Sequence, residues 1–241
     1  MRIKMTLAYN GAAYLGSQVQ KESEQTVNGQ LEKALKMLQI EGRIQASGRT
    51  DRGVHATRQV IHCDLPPFWR DLDKLQHQLQ RALPADIQIR RIEAVDESFH
   101  ARYSAKKRSY RYILSTQKPN PFLADLVTFV ETLDLEKIRE AITLFEGEHD
   151  FRYFKKSGSD TENFVREVYK TRLYEHKGYT ILTFEANGFL RSQIRLMVGF
   201  LLEISNGRYT KEELKAQLEC QAQFKLKPAP HEGLYLSNIK Y

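Results

Sequence analysis

The spacing of apolar residues switches between a period of two and a helical period in a fixed order. That order narrows the fold more than any single residue does. Ile3, Met5, Leu7 and Tyr9 alternate with Lys4 and Thr6, as in a strand with one buried face. Behind Thr26, a suitable N-cap, Val27, Leu31, Ala34, Leu35 and Leu38 follow helical spacing over about 27–39. Strand-like stretches at 43–46 and 59–65 come next. Asp71 then caps a helical run through Leu72, Leu75, Leu79 and Leu83 that Pro84 ends, and 87–92 returns to strand. Strand, helix, strand, strand, helix, strand is the ferredoxin-like plan.

The pattern recurs in the second half. An alternating stretch at 106–114 is followed by a helix capped by Asp134, with Leu135, Ile138, Ala141, Ile142 and Phe145 inward. Residues 164–175 and 179–187 read as a hairpin around His176-Lys177-Gly178. A helix from Phe189 through Ile194, Met197, Val198, Leu201 and Ile204 stops at Asn206-Gly207, and its Arg191 and Arg195, four apart, are expected on one face. Thr210-Lys211-Glu212-Glu213 is a capping box for a short helix. A last strand covers 233–239. The repeat is one of pattern, not of residue identity. It predicts an α+β chain of two ferredoxin-like (RRM-like) halves, 1–104 and 105–241, whose strands form one extended antiparallel sheet with a central cleft. Pro119-Asn120-Pro121 breaks the chain and reads as a link between the halves.

With 241 residues, 41% hydrophobic and 28% charged, the chain has enough material for one large core or two small ones. Its net charge of +7 favours a polyanionic partner, nucleic acid first. Two cysteines without a CxxC suggest neither a disulfide framework nor a cysteine zinc site. Met1-Arg2-Ile3-Lys4 does not open a signal peptide, and the longest apolar run, 196–202, is too short to span a bilayer. A cytoplasmic setting without membrane association is the expectation.

Between the strand-like flanks lies Ser47-Gly48-Arg49-Thr50-Asp51-Arg52-Gly53-Val54-His55-Ala56. Gly48 and Gly53 bracket a tight loop that carries one carboxylate between two guanidiniums. Such an Asp either satisfies its own turn or is held as a permanent carboxylate, suited to act as nucleophile or charge stabiliser rather than general acid. Pattern alone leaves both readings open.

This stretch resembles the GRTDxGVHA signature of the TruA-type tRNA pseudouridine synthases. Further pieces follow in family order over nearly the whole chain. Asn10-Gly11-Ala12-Ala13-Tyr14-Leu15-Gly16-Ser17-Gln18-Val19-Gln20 resembles YDGxxFxGWQxQ, with Asn10 where Asp is usual and Ser17 where Trp is usual. Phe99-His100-Ala101-Arg102 resembles FHAR, Lys107-Arg108-Ser109-Tyr110-Arg111-Tyr112 resembles KRxYRY, and Gly147-Glu148-His149-Asp150-Phe151 resembles GxHDF. The 187–199 segment resembles NxFLxxMVRxxVG, and Gly233-Leu234-Tyr235-Leu236 matches GLYL. The resemblance implies that Asp51 is the catalytic carboxylate and that Arg195 pairs with it. It places Tyr110 on the target uracil and Leu234 in the apolar wall of its pocket. Arg49, Arg102 and Arg166 become substrate contacts. It implies tRNA as the partner, uridines 38–40 of the anticodon stem-loop as targets, a homodimer, and no cofactor or metal.

Residue by residue, blander readings compete. His100 alone reads as a surface histidine, His149-Asp150 as structural, the tyrosines of 110–112 as strand packing, and 155–160 as a basic loop. Two rivals share parts of the pattern. One is a non-catalytic RNA-binding protein of two RRM-like units, but the chain lacks the RRM aromatic signature. The other is a metal-dependent nuclease using Asp51, Asp64 and Glu93, whose spacing is not ligand-like.

Overall fold

The computed structural model describes residues 1–20, 23–156, 158 and 162–241. Of the basic loop read over 155–160, Ser157, Ser159 and Asp160 lie outside the described residues. The chain packs as two compact units: Met1–Lys106 with Tyr235–Tyr241, and Lys107–Leu234, so Pro119-Asn120-Pro121 is a loop inside the second unit and not the link between the two.

In the first unit β1 (Arg2–Tyr9), α1 (Val27–Met37), β2 (Gln45–Ala46), β3 (His55–Asp64), α2 (Leu72–Ala82) and β4 (Ile87–Ala94) follow the expected order. β1 pairs antiparallel with both β3 and β4, and β2 pairs antiparallel with β3, giving β4-β1-β3-β2. β10 (Leu234–Lys240) runs parallel to β3, with Tyr235 opposite His55 and Leu236 opposite Ala56. β2 meets the same strand further on, at Ile61 and His62. The alternation of β1 is realised fully: Ile3, Met5 and Leu7 are buried completely, while Lys4 and Thr6 are half-buried on the other face. Helices α1 and α2 supply Leu31, Leu75 and Leu79 to the core. Both caps form as the sequence predicts, Thr26 accepting from Gly29 N–H and Asp71 from Lys74 N–H. Each satisfies a donor that the first helical turn leaves unpaired.

The second unit contains β5 (Lys107–Ser115), β6 (Thr128–Phe129), α3 (Leu135–Ile142), β7 (Gly147–Asp150), β8 (Val165–His176), β9 (Tyr179–Ala186), α4 (Gln193–Ser205) and α5 (Lys211–Leu218). Its strands are ordered β5-β9-β8-β7, with β6 parallel to β5. The β8–β9 hairpin turns at Lys177 and Gly178, φ +51° and +79°, the paired left-handed residues of a twist-matched two-residue turn. Asp134 caps α3, and both halves of the capping box at Thr210 and Glu213 are made.

One helix begins later than its pattern suggests. Ser192 is left-handed, φ +59°, and α4 starts at Gln193. Arg191 therefore lies in the turn before the helix rather than one turn below Arg195. The turn is held from inside: Gln193, fully buried, accepts the Leu190 N–H at 2.8 Å through Oε1 and sets Nε2 3.7 Å from Met197 Sδ.

Candidate active site

The loop before β3 is fixed by its backbone and by buried polar groups. Ser47 N–H donates to Val60 O, and its hydroxyl donates to Gln59 Oε1 at 2.7 Å. Gln59 in turn donates to Gly48 O at 2.9 Å. Asp51-Arg52-Gly53-Val54 is closed by Val54 N–H to Asp51 O at 3.1 Å. Gly53 sits third in this turn with φ +74°, a position that favours glycine. Asp51 is half-buried, whereas Arg49 and Arg52 are exposed.

The segment that resembles YDGxxFxGWQxQ packs on this loop. Ser17, 1% exposed, accepts the Thr50 N–H through its hydroxyl at 2.9 Å and donates its own N–H to Thr50 O at 3.1 Å. The departure from the bulkier family residue therefore leaves a satisfied polar clamp. Ser17→Ala should orphan the buried Thr50 N–H and cost about 1–3 kcal/mol, read from the urea midpoint at unchanged slope. Thr50 also bonds Tyr9, whose hydroxyl is 2.8 Å from Oγ1 and whose pKa burial pushes up to about 12. A Cβ on Gly11 would meet Val54 O at 2.1 Å, so only glycine lets the two loops touch. Gly11 N–H donates to His55 Nδ1 at 2.9 Å, and the His55 ring stacks on Tyr235 at 4.6 Å. Asn10 shapes the turn instead, its Oδ1 accepting the Ala12 N–H.

At the far end of β3, residues 99–104 cover His62. Ala101 N–H donates to His62 Nδ1 at 3.1 Å, and His100 lies 4.7 Å from the His62 ring. His100 is not the solvated residue its neighbours suggest: it is half-buried, and its Nδ1 accepts the N–H groups of Arg102 and Tyr103. Arg102 is exposed, with its guanidinium 5.6 Å from the centre of the Tyr103 ring.

In the second unit Tyr110, 8% exposed, meets Phe189 edge-on at 5.3 Å. Arg108 donates to Asn187 O at 2.9 Å. The next residue, Gly188, lies under Arg166, since a Cβ there would be 3.7 Å from Arg166 Nε. Arg166 donates to Asn163 O and Val165 O. Its pKa is lowered by burial first and by the neighbouring Arg108 second. Two guanidiniums thus converge on the Asn187-Gly188 corner. Arg108 was legible only as part of a basic strand. Arg195 is half-buried, donating Nε–H to Ala229 O at 2.7 Å while its carbonyl accepts the Ala229 N–H at 2.8 Å. Beside it Tyr112, fully buried, donates to Pro230 O at 2.7 Å. Leu234 is buried at the start of β10.

The carboxylates of the nuclease reading are engaged elsewhere. Asp64 pairs with Arg2 at 2.8 Å, which lowers its pKa, and Glu93 pairs with Lys4 and Arg91, each at 3.1 Å. Asp150 pairs with Arg152, and His149 Nε2 is 2.9 Å from Glu146 O, both local structural contacts. Among the described residues, no group of three or more His, Cys, Asp or Glu could hold a metal ion. Nor, among those residues, is any helix long and apolar enough to cross a membrane.

A sequence profile described as tRNA pseudouridine synthase matches residues 5–104 and 141–241. The chain is 42% identical over 235 residues to the tRNA pseudouridine synthase A of Wolinella succinogenes, covering 98% of this chain and 92% of that one. It is 39% identical over 241 residues to the Campylobacter jejuni (strain RM1221) protein of the same name, covering all of both chains. A Geobacillus relative of the same name is 39% identical over 249 residues, covering 100% of this chain and 98% of that one. The clamped Asp51 loop and the Arg195 helix both lie within the matched residues, and the chain belongs to the tRNA pseudouridine synthase family.

Proposed function

We propose that this protein isomerises uridine to pseudouridine in tRNA, in the anticodon stem-loop at positions 38–40, with Asp51 as the catalytic carboxylate. Supporting the reading is one observation above all: Asp51 stands on a loop made rigid by Ser17, Ser47, Gln59 and Gly53, in a chain whose family is known. A reacting carboxylate needs that preorganisation.

The reaction breaks the bond between uracil N1 and ribose C1′, turns the freed base, and joins C5 to C1′; the C5 hydrogen leaves to solvent as a proton and N1 takes one up, so the product is an isomer of the substrate. No net electron transfer and no phosphoryl transfer are involved, so the chemistry asks for no redox group. The base must leave its stack, at a cost of a few kcal/mol, and enter a pocket. Asp51 acts as nucleophile, toward either ribose C1′ or the uracil ring, or removes a proton. Arg195, its Nε–H braced on Ala229 O, is the arginine we assign as the partner of Asp51 in the reaction. Tyr110, held by Phe189, covers the uracil, and Leu234 walls it. Arg49, Arg102 and Arg166 contact the RNA backbone. We further propose a homodimer working in the cytoplasm.

The test is incubation with tRNA carrying tritium at uridine C5. Stoichiometric tritium release from an intact strand is the expected result. Binding without release would point to the non-catalytic RNA-binding rival and overturn the proposal.

A further inference from the structure

The helix-free face of the first unit's sheet carries a groove of about 330 Å³, inside the roughly 300–1,000 Å³ range of small-ligand sites. Its charged lining is Lys4, Arg58, Arg90, Arg91 and Glu93, with Tyr241 as an aromatic wall. Four cations thus meet a single carboxylate.

Two strand irregularities build the groove. Along β4 the partner of β1 jumps from Arg91, opposite Thr6, to Ile89, opposite Leu7, so that Arg90 is the extra residue of a bulge. Along β3 the partner jumps from Gln59, opposite Leu7, to Ala56, opposite Tyr9, leaving Thr57 and Arg58 against Ala8 alone. Bulges re-aim side chains and bend their strands, and these two flank β1 at the same level. Consecutive strand residues ordinarily point to opposite faces. Here both Arg90 and Arg91 are exposed and line the groove. Arg90 reaches across β1 toward Thr57 O, 3.4 Å away, beside Arg58. Glu93 is already shared between Lys4 and Arg91. Tyr241 is held in place by its hydroxyl bond to Ala101 O at 2.8 Å, with Lys4 Nζ 5.9 Å from its ring centre.

We infer that this groove is a second contact site for the tRNA substrate, taking backbone phosphates away from the reacting nucleotide on Arg58, Arg90 and Arg91. Arg58 lies three residues past His55 on β3, about 10 Å along the strand, so the groove is distinct from the Asp51 loop. Exposed guanidiniums in a shallow, partly aromatic channel suit phosphodiesters. This inference rests on tRNA being the substrate.

The test is binding of unmodified full-length tRNA transcript across a salt series. The Arg58→Ala/Arg90→Ala/Arg91→Ala variant is compared with Lys33→Ala/Lys36→Ala/Arg81→Ala, which removes as much charge from exposed helix positions. Circular dichroism confirms that both fold. The groove variant should bind about 10- to 100-fold more weakly at 0.1 M salt, with the slope of log affinity against log salt shallower by about two to three. The helix variant should stay within about threefold of wild type. Equal binding by the groove variant and wild type, or equal weakening of both variants, would overturn the inference. Tritium release by the wild-type protein checks the tRNA reading separately.

Discussion

Asp51→Ala should lower kcat by at least about 10⁴-fold while tRNA binds as well as before. Losses of that size follow removal of a group that makes or breaks a bond to substrate. Affinity is carried instead by cations along the RNA path, and removing one anion subtracts nothing from it. The substitution is also structurally mild. The loop is anchored through Ser47, Gln59, Thr50 and Gly53, and the bond closing the Asp51 turn is donated by Val54 N–H to the Asp51 backbone carbonyl, which alanine keeps. The melting temperature should therefore stay within a few degrees. Single-turnover tritium release and a filter-binding Kd check both halves; release at the wild-type rate would remove Asp51 from the chemistry.

Arg195→Ala should lower kcat by about 10²–10³-fold, the scale of losing one preorganised charged donor at a reacting centre. Its guanidinium is placed by a two-way link to Ala229, Nε–H to the carbonyl and N–H to the Arg195 carbonyl, near the Tyr112–Pro230 bond. The truncation also leaves Ala229 O without that donor, worth about 1 kcal/mol of stability. Arg195→Lys keeps a charge but forfeits the Nε anchor, and should recover only about tenfold of the lost rate. A kcat within twofold of wild type for Arg195→Ala, at equal tRNA affinity, would show that the arginine only braces the helix.

Much of this was written in the local pattern, for reasons that identify themselves. The alternation of Ile3, Met5 and Leu7, the N-caps at Thr26, Asp71, Asp134 and Thr210, and the Lys177-Gly178 turn are local signals, and each folds as read. Elements whose reason lies in distant partners were harder. His55-Ala56-Thr57-Arg58-Gln59 belongs to β3 but does not alternate: β10 pairs beside His55, Gln59 turns back to the loop, and a bulge interrupts the run. Ser17 and Gln193 are polar residues in the interior, and only the donors and acceptors around them say so. The left-handed Ser192 moves Arg191 off the helix, which no helical period predicts. The adjacent Arg90-Arg91 between Ile89 and Ile92 did break the alternation, a legible trace of the bulge that shapes the groove. The catalytic assignment itself came from the length and specificity of the Arg49–Ala56 motif, because composition and spacing alone left the Asp51 loop with two readings.

The central claim is that the Asp51 carboxylate drives the isomerisation of uridines in the anticodon stem-loop. It is tested most directly by mapping pseudouridine, base by base, in an unmodified tRNA transcript after incubation with excess protein. The wild-type chain should convert uridines at positions 38–40 and no others, and Asp51→Asn, with the same shape and no charge, should leave every one of them as uridine. Pseudouridine formed at those positions by Asp51→Asn at a comparable rate would contradict the account.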